Sequence, residues 1–431
     1  MANTVTTLTT MANLLKNVYA PQIEETTKRQ VVTLELLETK LGQRSPWGGN
    51  GFIIPLEVNQ MHSYGSRSEN GNLPDARPTT WLQTTVPIYS HYFTISATGL
   101  SMAATKNNDS AWADAWSRSA YIATRSYRQH LNRMLNGNGT AILCQVDGSI
   151  SIGGTYTTIT MDNAYGVSTE KNSAINGGKF LSTNMLLDFM TSSTVRDEGA
   201  CPVVTLTPGS GTSTSAYATF TNSYVDSVAD GDYVYVTGNY GKELPGLELL
   251  ADDGTLASTF QSLNCSTYSD WQAVVHYGSS PGTAEQWSTA RMMNFVDDLE
   301  SLGGMNIAAY KTSNALWLTV GEIMRNEGYV VNPEVLDTGY TVIKFNGVPI
   351  YKDPYSMATI TAIDPGVLKI YEAAPQGWLE TDGGVIERDH SSGYQRDNYV
   401  AFYGWYMTPG ISNRKRIGKM VDITNNVWKS W

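Results

Sequence analysis

The sequence predicts an α+β protein whose mixed core is interrupted by a small inserted all-β domain. Apolar residues recur at spacings of three and four in five segments, of which 109–136 is the longest, and this is the helical period. Short alternating segments separated by Asp-Gly and Gly-Asn turns fill residues 201–280, a pattern typical of β-strands. Because helical segments flank this stretch on both sides, we interpret it as an insertion into one core.

The composition favours an obligate assembly. Charged residues make up 16% of the 431 residues, with 29 Lys and Arg against 40 Asp and Glu, a net charge of −11, 25 Tyr and 11 Trp. An average soluble chain carries about 25% charged residues, and weakly charged surface rich in Tyr and Trp is typical of protein interfaces. We therefore expect partner subunits to cover much of the surface.

The same composition excludes several classes of protein. With 41% hydrophobic residues the chain can bury a large core, so it is not predicted to be disordered. A negative net charge argues against general nucleic-acid binding, and no run of about 18 apolar residues predicts a membrane span. The first ten residues lack the basic and apolar regions of a signal peptide. Cys144, Cys201 and Cys265 fit neither a disulfide framework nor a metal site, so we expect reduced thiols.

The N-terminal part predicts elements that cannot be stable alone. Residues 21–41 carry a partly apolar helical stripe, with Pro21 in the first turn. Residues 52–59 and 85–97 alternate like two strands, and the polar residues 64–80 lie between them. A two-stranded arm of this length is too thin to hold its own core, so we expect it to lie on an external surface.

Further helices and strands are predicted along the rest of the chain. The helices are 109–136, 182–196, 285–302 and 313–327. The strands are 217–224, 232–237, 247–250, 341–345, 348–351, 368–371, 378–380, 399–407 and 412–423. The dipeptide Asn346-Gly347 is the strongest hairpin signal in the chain. The 109–136 helix has an arginine-bearing polar face, which we interpret as the outer face of an amphipathic helix and not as a DNA-binding stripe.

No residues converge on a catalytic, cofactor or metal site. The five histidines are not at metal-binding spacing, and no H-E-x-x-H, C-x-x-C or nucleophile-elbow motif occurs. We therefore predict no catalytic residue, no cofactor and no metal ligand. A small basic cluster, Arg414-Lys415-Arg416 with Lys419, is expected to pair with acidic residues of another subunit, and nucleic acid is the alternative partner.

Four motifs then follow one another along the chain. The arm tip reads Glu69-Asn70-Gly71-Asn72-Leu73-Pro74, and the inserted module contains Asp230-Gly231-Asp232 and Leu244-Pro245-Gly246-Leu247. A hairpin from Phe345 to Asp353 has the pattern Gly-x-Pro-x-x-x-Asp, and an aromatic strand runs from Tyr399 to Tyr406. In this order, over residues 20 to 423, they resemble the major capsid proteins of tailed bacteriophages with the HK97-type fold and a β insertion domain.

The resemblance implies an HK97-like capsid fold divided along the chain. Its parts are an N-terminal arm (1–45), an extended β-hairpin loop or E-loop (46–98), a peripheral domain (99–200) with the spine helix 109–136, an inserted β domain (201–280), a return to the core (281–300), an axial domain (301–385) and the C-terminal strands of the peripheral domain (386–431).

The resemblance also implies a structural function and no enzymatic one. The chain would assemble into the hexamers and pentamers of an icosahedral head that encloses double-stranded DNA. Its partners would be further copies of itself, a separate scaffolding protein, a portal protein, a possible decoration protein, and DNA by weak non-specific proximity, with no membrane. It would be part of the virion and be made in the host bacterial cytoplasm. The expected inter-subunit contacts are Arg67, Glu69, Asp75, Arg77, Arg414 and Arg416.

Two features depart from the pattern of the family. About 20 residues precede the first predicted helix, where many members carry a long scaffolding segment that is cleaved off. We therefore expect no processing and a separate scaffolding protein or none. The arm tip, 64–80, contains no Lys, so we expect no Lys–Asn crosslink there and noncovalent joining of subunits.

Two other functions stay open from the residues alone. The many Trp and Tyr with paired carboxylates suggest a glycan-binding or glycan-cleaving β-rich phage tail protein. The five predicted helices and the absence of repeats argue against it. A soluble enzyme is disfavoured because no His, Asp and Cys side chains converge in the sequence.

Overall fold

A computed structural model describes most of the chain. The described residues are 31–40, 43–46, 51–58, 61–105, 115–167, 175, 177–191, 193–196, 199–207, 216–328, 334–335, 341–380, 384–388 and 397–424. Within these residues no helix is both long and apolar enough to cross a membrane.

Six α-helices lie in the described part of the chain. They are α1 (Val32–Glu35, continued by a π-helix, Leu36–Lys40), α2 (Gly99–Thr105), α3 (Ala115–Asn136), α4 (Leu247–Leu250), α5 (Thr289–Gly303) and α6 (Asn314–Asn326). Short 3-10 helices are Ala164–Gly166, Gly177–Phe180, Asn222–Tyr224, Ser269–Trp271 and Arg414–Arg416.

The strands are β1 (Gln43–Pro46), β2 (Phe52–Val58), β3 (Thr80–Val86), β4 (Tyr89–Thr98), β5 (Cys144–Ile152), β6 (Tyr156–Asp162), β7 (Leu186–Thr191), β8 (Thr194–Val195), β9 (Cys201–Pro202), β10 (Thr205–Thr207), β11 (Ala216–Thr221), β12 (Tyr233–Val236), β13 (Thr259–Phe260), β14 (Leu263–Asn264), β15 (Val274–His276), β16 (Ala309–Thr312), β17 (Glu334–Val335), β18 (Thr341–Phe345), β19 (Val348–Lys352), β20 (Ile360–Ile363), β21 (Leu368–Trp378), β22 (Glu387–Arg388), β23 (Asn398–Ile411) and β24 (Gly418–Met420).

The helices at 285–302 and 313–327 are confirmed as α5 and α6. The hydroxyl oxygens of Ser288 and Ser313 each accept a backbone N–H of the first turn, which is why the two helices begin there. The predicted helix 109–136 is confirmed from Ala115 as α3, and the helix 21–41 is confirmed over Val32–Lys40. Residues 21–30 and 109–114 of these two predictions lie outside the described residues.

A seven-stranded sheet contains the predicted hairpin. Its order is β15-β24-β20-β16-β19-β18-β17. Asn346 and Gly347 connect β18 to β19 with φ values of 49° and 80°, the left-handed pair that a two-residue hairpin turn requires. The local sequence therefore determines this hairpin.

An eight-stranded sheet has the order β10-β11-β6-β5-β12-β7-β8, with β9 beside β7. Its strands come from both sides of the boundary predicted at residue 201, because β5 to β8 precede it. One core joins this sheet to the seven-stranded sheet and to α5 and α6. Members of this core include Phe189, Phe220, Phe295, Leu316 and Ile360.

Two predicted elements are of the wrong type, and the strand predicted over 412–423 is reduced to β24, since Arg414–Arg416 form a 3-10 helix. Residues 182–196 form β7 and β8 and not a helix, since β7 pairs with β12 on one side and with β8 and β9 on the other. Residues 247–250 form the single helical turn α4 and not a strand. Gly246 precedes α4 and lies so close to the end of α3 that a Cβ atom there would be 2.3 Å from the carbonyl oxygen of Gly137.

The chain divides into two compact units. The larger contains residues 30–92, 126–377 and 404–431, and includes the large core described above. The smaller contains residues 1–29, 93–125 and 378–403, and its described part has a small core of its own. The buried residues of that core are Ile95, Ala123 and Ala401, with Phe93 and Trp378 packed against them.

Candidate assembly surface

The predicted arm is a two-stranded antiparallel ribbon. Strand β2 pairs with β3 from Phe52↔Val86 to Val58↔Thr80, and the connection between them carries no further strand in its described residues. The second predicted strand, 85–97, is corrected. The chain breaks at Pro87 and Ile88 into β3 and β4, because proline lacks the N–H that a continuous ladder needs.

The arm exposes large apolar side chains along its length. They are between 55% and 85% exposed and comprise Ile53, Met61, Tyr64, Leu73 and Trp81. On one face the register sets Ile53, Pro55 and Glu57 opposite Thr85, Gln83 and Trp81. Apolar and polar side chains therefore lie side by side on this exposed face of the ribbon.

The four predicted contact residues of the arm tip are all exposed. Among the described residues, the Arg67 guanidinium bonds only to nearby carbonyls, at 2.9 Å from that of Asn72 and 3.2 Å from that of Ser66. Glu69 and Asp75 make no hydrogen bond or ion pair among the described residues. The Arg77 backbone N–H donates to the Ser63 hydroxyl at 2.6 Å, which ties the two sides of the tip together. Their role between subunits stays a prediction.

The root of the arm is held by Gln261. The Thr84 hydroxyl donates to the Gln261 carbonyl oxygen at 2.6 Å, and the Thr85 N–H donates to the same oxygen at 3.2 Å. With its amide in the orientation that satisfies both atoms, the Gln261 side chain bonds to the N–H and C=O of Ile411 at 3.2 and 3.0 Å. The sequence analysis assigned no contact to this residue.

A groove of about 880 Å³ lies between the arm and the body of the larger unit. Leu56 and Leu82 line it on the arm side, and Leu263, Trp271 and Leu302 line it on the other. Leu56 and Leu82 are therefore only partly buried by their own chain.

The prediction for Arg414 is corrected. Arg414 is completely buried, and its guanidinium donates to carbonyl oxygens of its own chain and to the Cys265 thiol at 3.0 Å. The carbonyl acceptors belong to Leu249, Leu250, Asp252 and Trp271. The guanidinium also lies 4.6 Å from the centre of the Phe260 ring. No surface of this side chain is left to meet another subunit.

Two other basic residues of the cluster, Lys419 and Arg416, also have partners within the chain. Lys419 is buried and its ammonium lies 2.8 Å from the Glu248 carbonyl oxygen, 3.3 Å from the Glu248 carboxylate and 3.7 Å from that of Asp252. Arg416, which is 30% exposed, pairs with Asp364 at 2.6 Å. Part of Arg416 stays accessible, so its contact with another subunit stays a prediction.

A buried polar cluster around Asp353 was missed by the sequence analysis. The Asp353 carboxylate is fully buried and accepts hydrogen bonds from Thr33, Asn132, Asn136 and the Tyr355 N–H. The Lys311 ammonium donates to Asn136 Oδ1, and complete burial lowers the pKa of Lys311. Asp353 is the last residue of the Gly-x-Pro-x-x-x-Asp motif, and this motif is the sequence feature that could have identified it. The motif does not indicate which residues bond to Asp353.

A second buried group lies near the C-terminal half of α3. Arg133 forms an ion pair with Glu243, and both side chains are 4% exposed. Burial, and then the charge of Arg133, lower the pKa of His91 to about 4. His91 is therefore neutral in the folded chain near neutral pH.

No group of three or more His, Cys, Asp and Glu side chains in the described part of the chain is arranged to hold a metal ion. The predictions of no catalytic residue, cofactor or metal ligand stay predictions.

No protein-family model and no curated protein matches this chain. Among solved structures it is similar to the capsid of cyanophage A-1(L), with 14% identity, 97% of this chain and 100% of that chain covered, and a TM-score of 0.57. The capsid of an empty GTA particle gives 11% identity, 96% and 96% coverage and a TM-score of 0.49. The SrpI encapsulin of Synechococcus elongatus gives 8%, 99% and 99%, and 0.47.

The likeness to the cyanophage capsid extends over almost the full length of both chains. It confirms the predicted fold class, an α+β chain with the HK97-like capsid fold.

Proposed function

We propose that this chain is the major capsid protein of a tailed bacteriophage, which assembles into the hexamers and pentamers of an icosahedral head enclosing double-stranded DNA. The observation that carries the proposal is the arm, β2 and β3 with their connection. It exposes five large apolar side chains and has no core of its own. Such a ribbon gains stability only when another surface covers it.

The fold supports the same function. The solved structure with a TM-score of 0.57 is a phage capsid, and the likeness leaves no large part of either chain unmatched. The low content of charged residues, 16%, suits a chain whose surface is mostly covered by neighbours. A net charge of −11 suits a container that encloses DNA without binding it tightly.

The parts of the chain would have different roles in the shell. We assign residues 46–98 to the extended loop, 301–385 to the axial domain around which capsomers close, and α3 to the spine helix of a peripheral domain. Repetition of one contact around a ring closes it into a symmetric capsomer. Because the eight-stranded sheet begins at Cys144, we extend the inserted β domain toward the N-terminus from its predicted start at residue 201.

The partners follow from this function. They are further copies of the chain, a separate scaffolding protein, a portal protein and a possible decoration protein, with DNA nearby but not specifically bound. The protein would act as a structural component of the virion and not as an enzyme, after synthesis in the cytoplasm of the host bacterium.

Electron microscopy of the purified chain, alone and with candidate scaffolding proteins, tests the proposal. We expect closed shells of uniform diameter, and denaturing gels of these shells should return the monomer because the tip 64–80 contains no Lys. Small monodisperse oligomers under every condition would contradict the capsid function. A ladder of covalent multimers would contradict noncovalent joining alone.

A further inference from the structure

We propose that Gln261 is a positioning residue for the arm: it sets the direction in which β2 and β3 leave the body, and through that direction the spacing of subunits. The positioning role follows from the hydrogen bonds of Gln261 within one chain and does not depend on assembly. The consequence for spacing rests on the proposed capsid function.

Gln261 makes the hydrogen bonds that hold the arm at its root. Its carbonyl oxygen accepts from two successive residues of β3, the Thr84 hydroxyl at 2.6 Å and the Thr85 N–H at 3.2 Å. Thr84 is completely buried, so its hydroxyl cannot exchange this acceptor for water. In the described part of the chain, residues 53–83 make no hydrogen bond or ion pair to the body.

The side chain of Gln261 connects this root to a rigid element. Its amide forms a pair of hydrogen bonds with the N–H and C=O of Ile411, at 3.2 and 3.0 Å. Ile411 is completely buried and ends β23, a strand of 14 residues. One residue thus joins β3 to β23 through four hydrogen bonds.

The backbone at this position is strained in a way that the side chain explains. Gln261 and Ser262 form the two-residue turn between β13 and β14, with φ values of 46° and 69°. Such turns favour Asn and Gly, because other side chains crowd the backbone at positive φ. Glycine would relieve this crowding, but it has no amide with which to reach Ile411. Strain retained at a non-glycine residue is often associated with a functional constraint.

A small rotation of the arm at its root produces a large displacement of its tip. Strand β2 has seven residues and spans about 23 Å at about 3.3 Å per residue. A rotation of about 10° at the root therefore moves the far end of the strand by about 4 Å. The exposed residues Met61, Tyr64 and Leu73 follow the far end of β2 in the chain, so their place on a neighbouring subunit depends on the root.

The substitution Gln261→Ala tests the role directly, because it keeps the backbone carbonyl and removes only the amide. Spin labels on Ser68→Cys, in the tip, and Ser301→Cys, at the end of α5, report the arm direction as a distance distribution in the unassembled chain. The native cysteines are at most 1% exposed and would not take the label. Ser262→Gly is the matched control, since it relieves strain in the same turn without touching the hydrogen bonds.

We expect Gln261→Ala to broaden the distance distribution and to speed amide exchange at Ile411, while Ser262→Gly leaves both as in the native chain. If Gln261→Ala fails to fold, Gln261→Met fills the same space without hydrogen bonds and should give the same broadening. An unchanged distribution in the folded variant would overturn the positioning role.

Shell diameter gives the link to function. We expect the shells of Gln261→Ala to vary in diameter, whereas native shells have a single diameter. Variant shells of one uniform, native diameter would overturn the effect on subunit spacing. If the native chain forms no shells at all, the capsid function fails, and the spin-label distances still decide the role of Gln261.

Discussion

The carboxylate of Asp353 accepts hydrogen bonds from both the N–H and the hydroxyl of Thr33, at 3.1 and 2.6 Å, although 320 residues separate the two in sequence. The first N–H groups of a helix have no partner within the helix. At the start of α1, the Asp353 carboxylate accepts one of them, the N–H of Thr33. The Leu34 N–H donates to Asn132 Oδ1 at 3.0 Å. The N-terminal helix is therefore fixed to α3 and to the end of the β18–β19 hairpin.

We expect Asp353→Asn to lower the free energy of unfolding by about 2 to 4 kcal/mol, because it leaves buried donors without an ionised acceptor. An amide has the shape of the carboxylate, so cavity formation does not contribute. Its NH2 group would face the donors of Thr33, Asn132 and Asn136. Urea unfolding of the unassembled chain measures the change.

Two variants make this measurement specific. Thr33→Val removes one donor and keeps the shape, so we expect a smaller loss of about 1 kcal/mol. Asp226→Asn changes the charge of an exposed residue equally, and should shift the free energy by less than about 0.5 kcal/mol. Equal effects of Asp353→Asn and Asp226→Asn would show that only net charge matters.

Arg414 provides a second test within one subunit. We expect Arg414→Lys to destabilise the unassembled chain by about 3 kcal/mol or more, because an ammonium cannot reproduce the planar fork that serves four carbonyls and a thiol. Arg67→Lys, at the exposed tip, is the matched control and should leave unfolding unchanged. Had Arg414 acted between subunits, its substitution would alter assembly and leave unfolding of the separate chain as it is.

The elements that the sequence predicted correctly are those that local chemistry determines. The hairpin at Asn346-Gly347 and the helices capped by Ser288 and Ser313 need only their own residues. Strand β7 was missed because both of its faces are covered. Leu187 and Phe189 belong to the main core, and Met190 packs with Tyr235 on the other side. Four successive buried residues, 187–190, show no alternation, so periodicity cannot separate such a strand from a buried helix.

The positioning contacts could not be predicted for a different reason. Arg414 stands in a run of basic residues that is typical of surface, and its acceptors lie 143 to 165 residues away in sequence. Gln261 and Asp353 likewise act through partners brought near only by the fold. The two-stranded arm was predicted, because two alternating strands with a polar connection between them indicate it directly.

The stability of the chain should depend on pH through His91. Burial and the charge of Arg133 lower the pKa of His91 from 6.5 to about 4, so the unfolded chain binds this proton more readily than the folded chain. The contribution of neutral His91 to the free energy of unfolding is fully present above 6.5, the pKa of this side chain in the unfolded chain. It is lost as the pH falls toward 4. The full shift corresponds to about 3 kcal/mol.

Urea unfolding at about pH 7.5 and about pH 4.5 measures the effect by difference. We expect His91→Gln to reduce the loss of stability between the two pH values by about 2 to 3 kcal/mol relative to the native chain. His62→Gln removes an exposed histidine and should not change that loss. An identical pH dependence in the native chain and His91→Gln would show that His91 is accessible to protons when folded.

The arm surface should govern assembly without affecting the fold. Leu73 is 85% exposed, so we expect Leu73→Ser to change the free energy of unfolding by less than about 0.5 kcal/mol. Burying a leucine side chain at a contact contributes about 1.5 to 3 kcal/mol, which is about 10- to 200-fold in the equilibrium constant of that contact. Light scattering against concentration should therefore show assembly of Leu73→Ser only at a concentration at least about tenfold higher.

Ile152→Ser changes an apolar residue that is 74% exposed on strand β5, and we expect it to assemble like the native chain. Equal loss in both variants would point to general surface hydrophobicity, and no loss in either would remove the arm tip from the subunit contact.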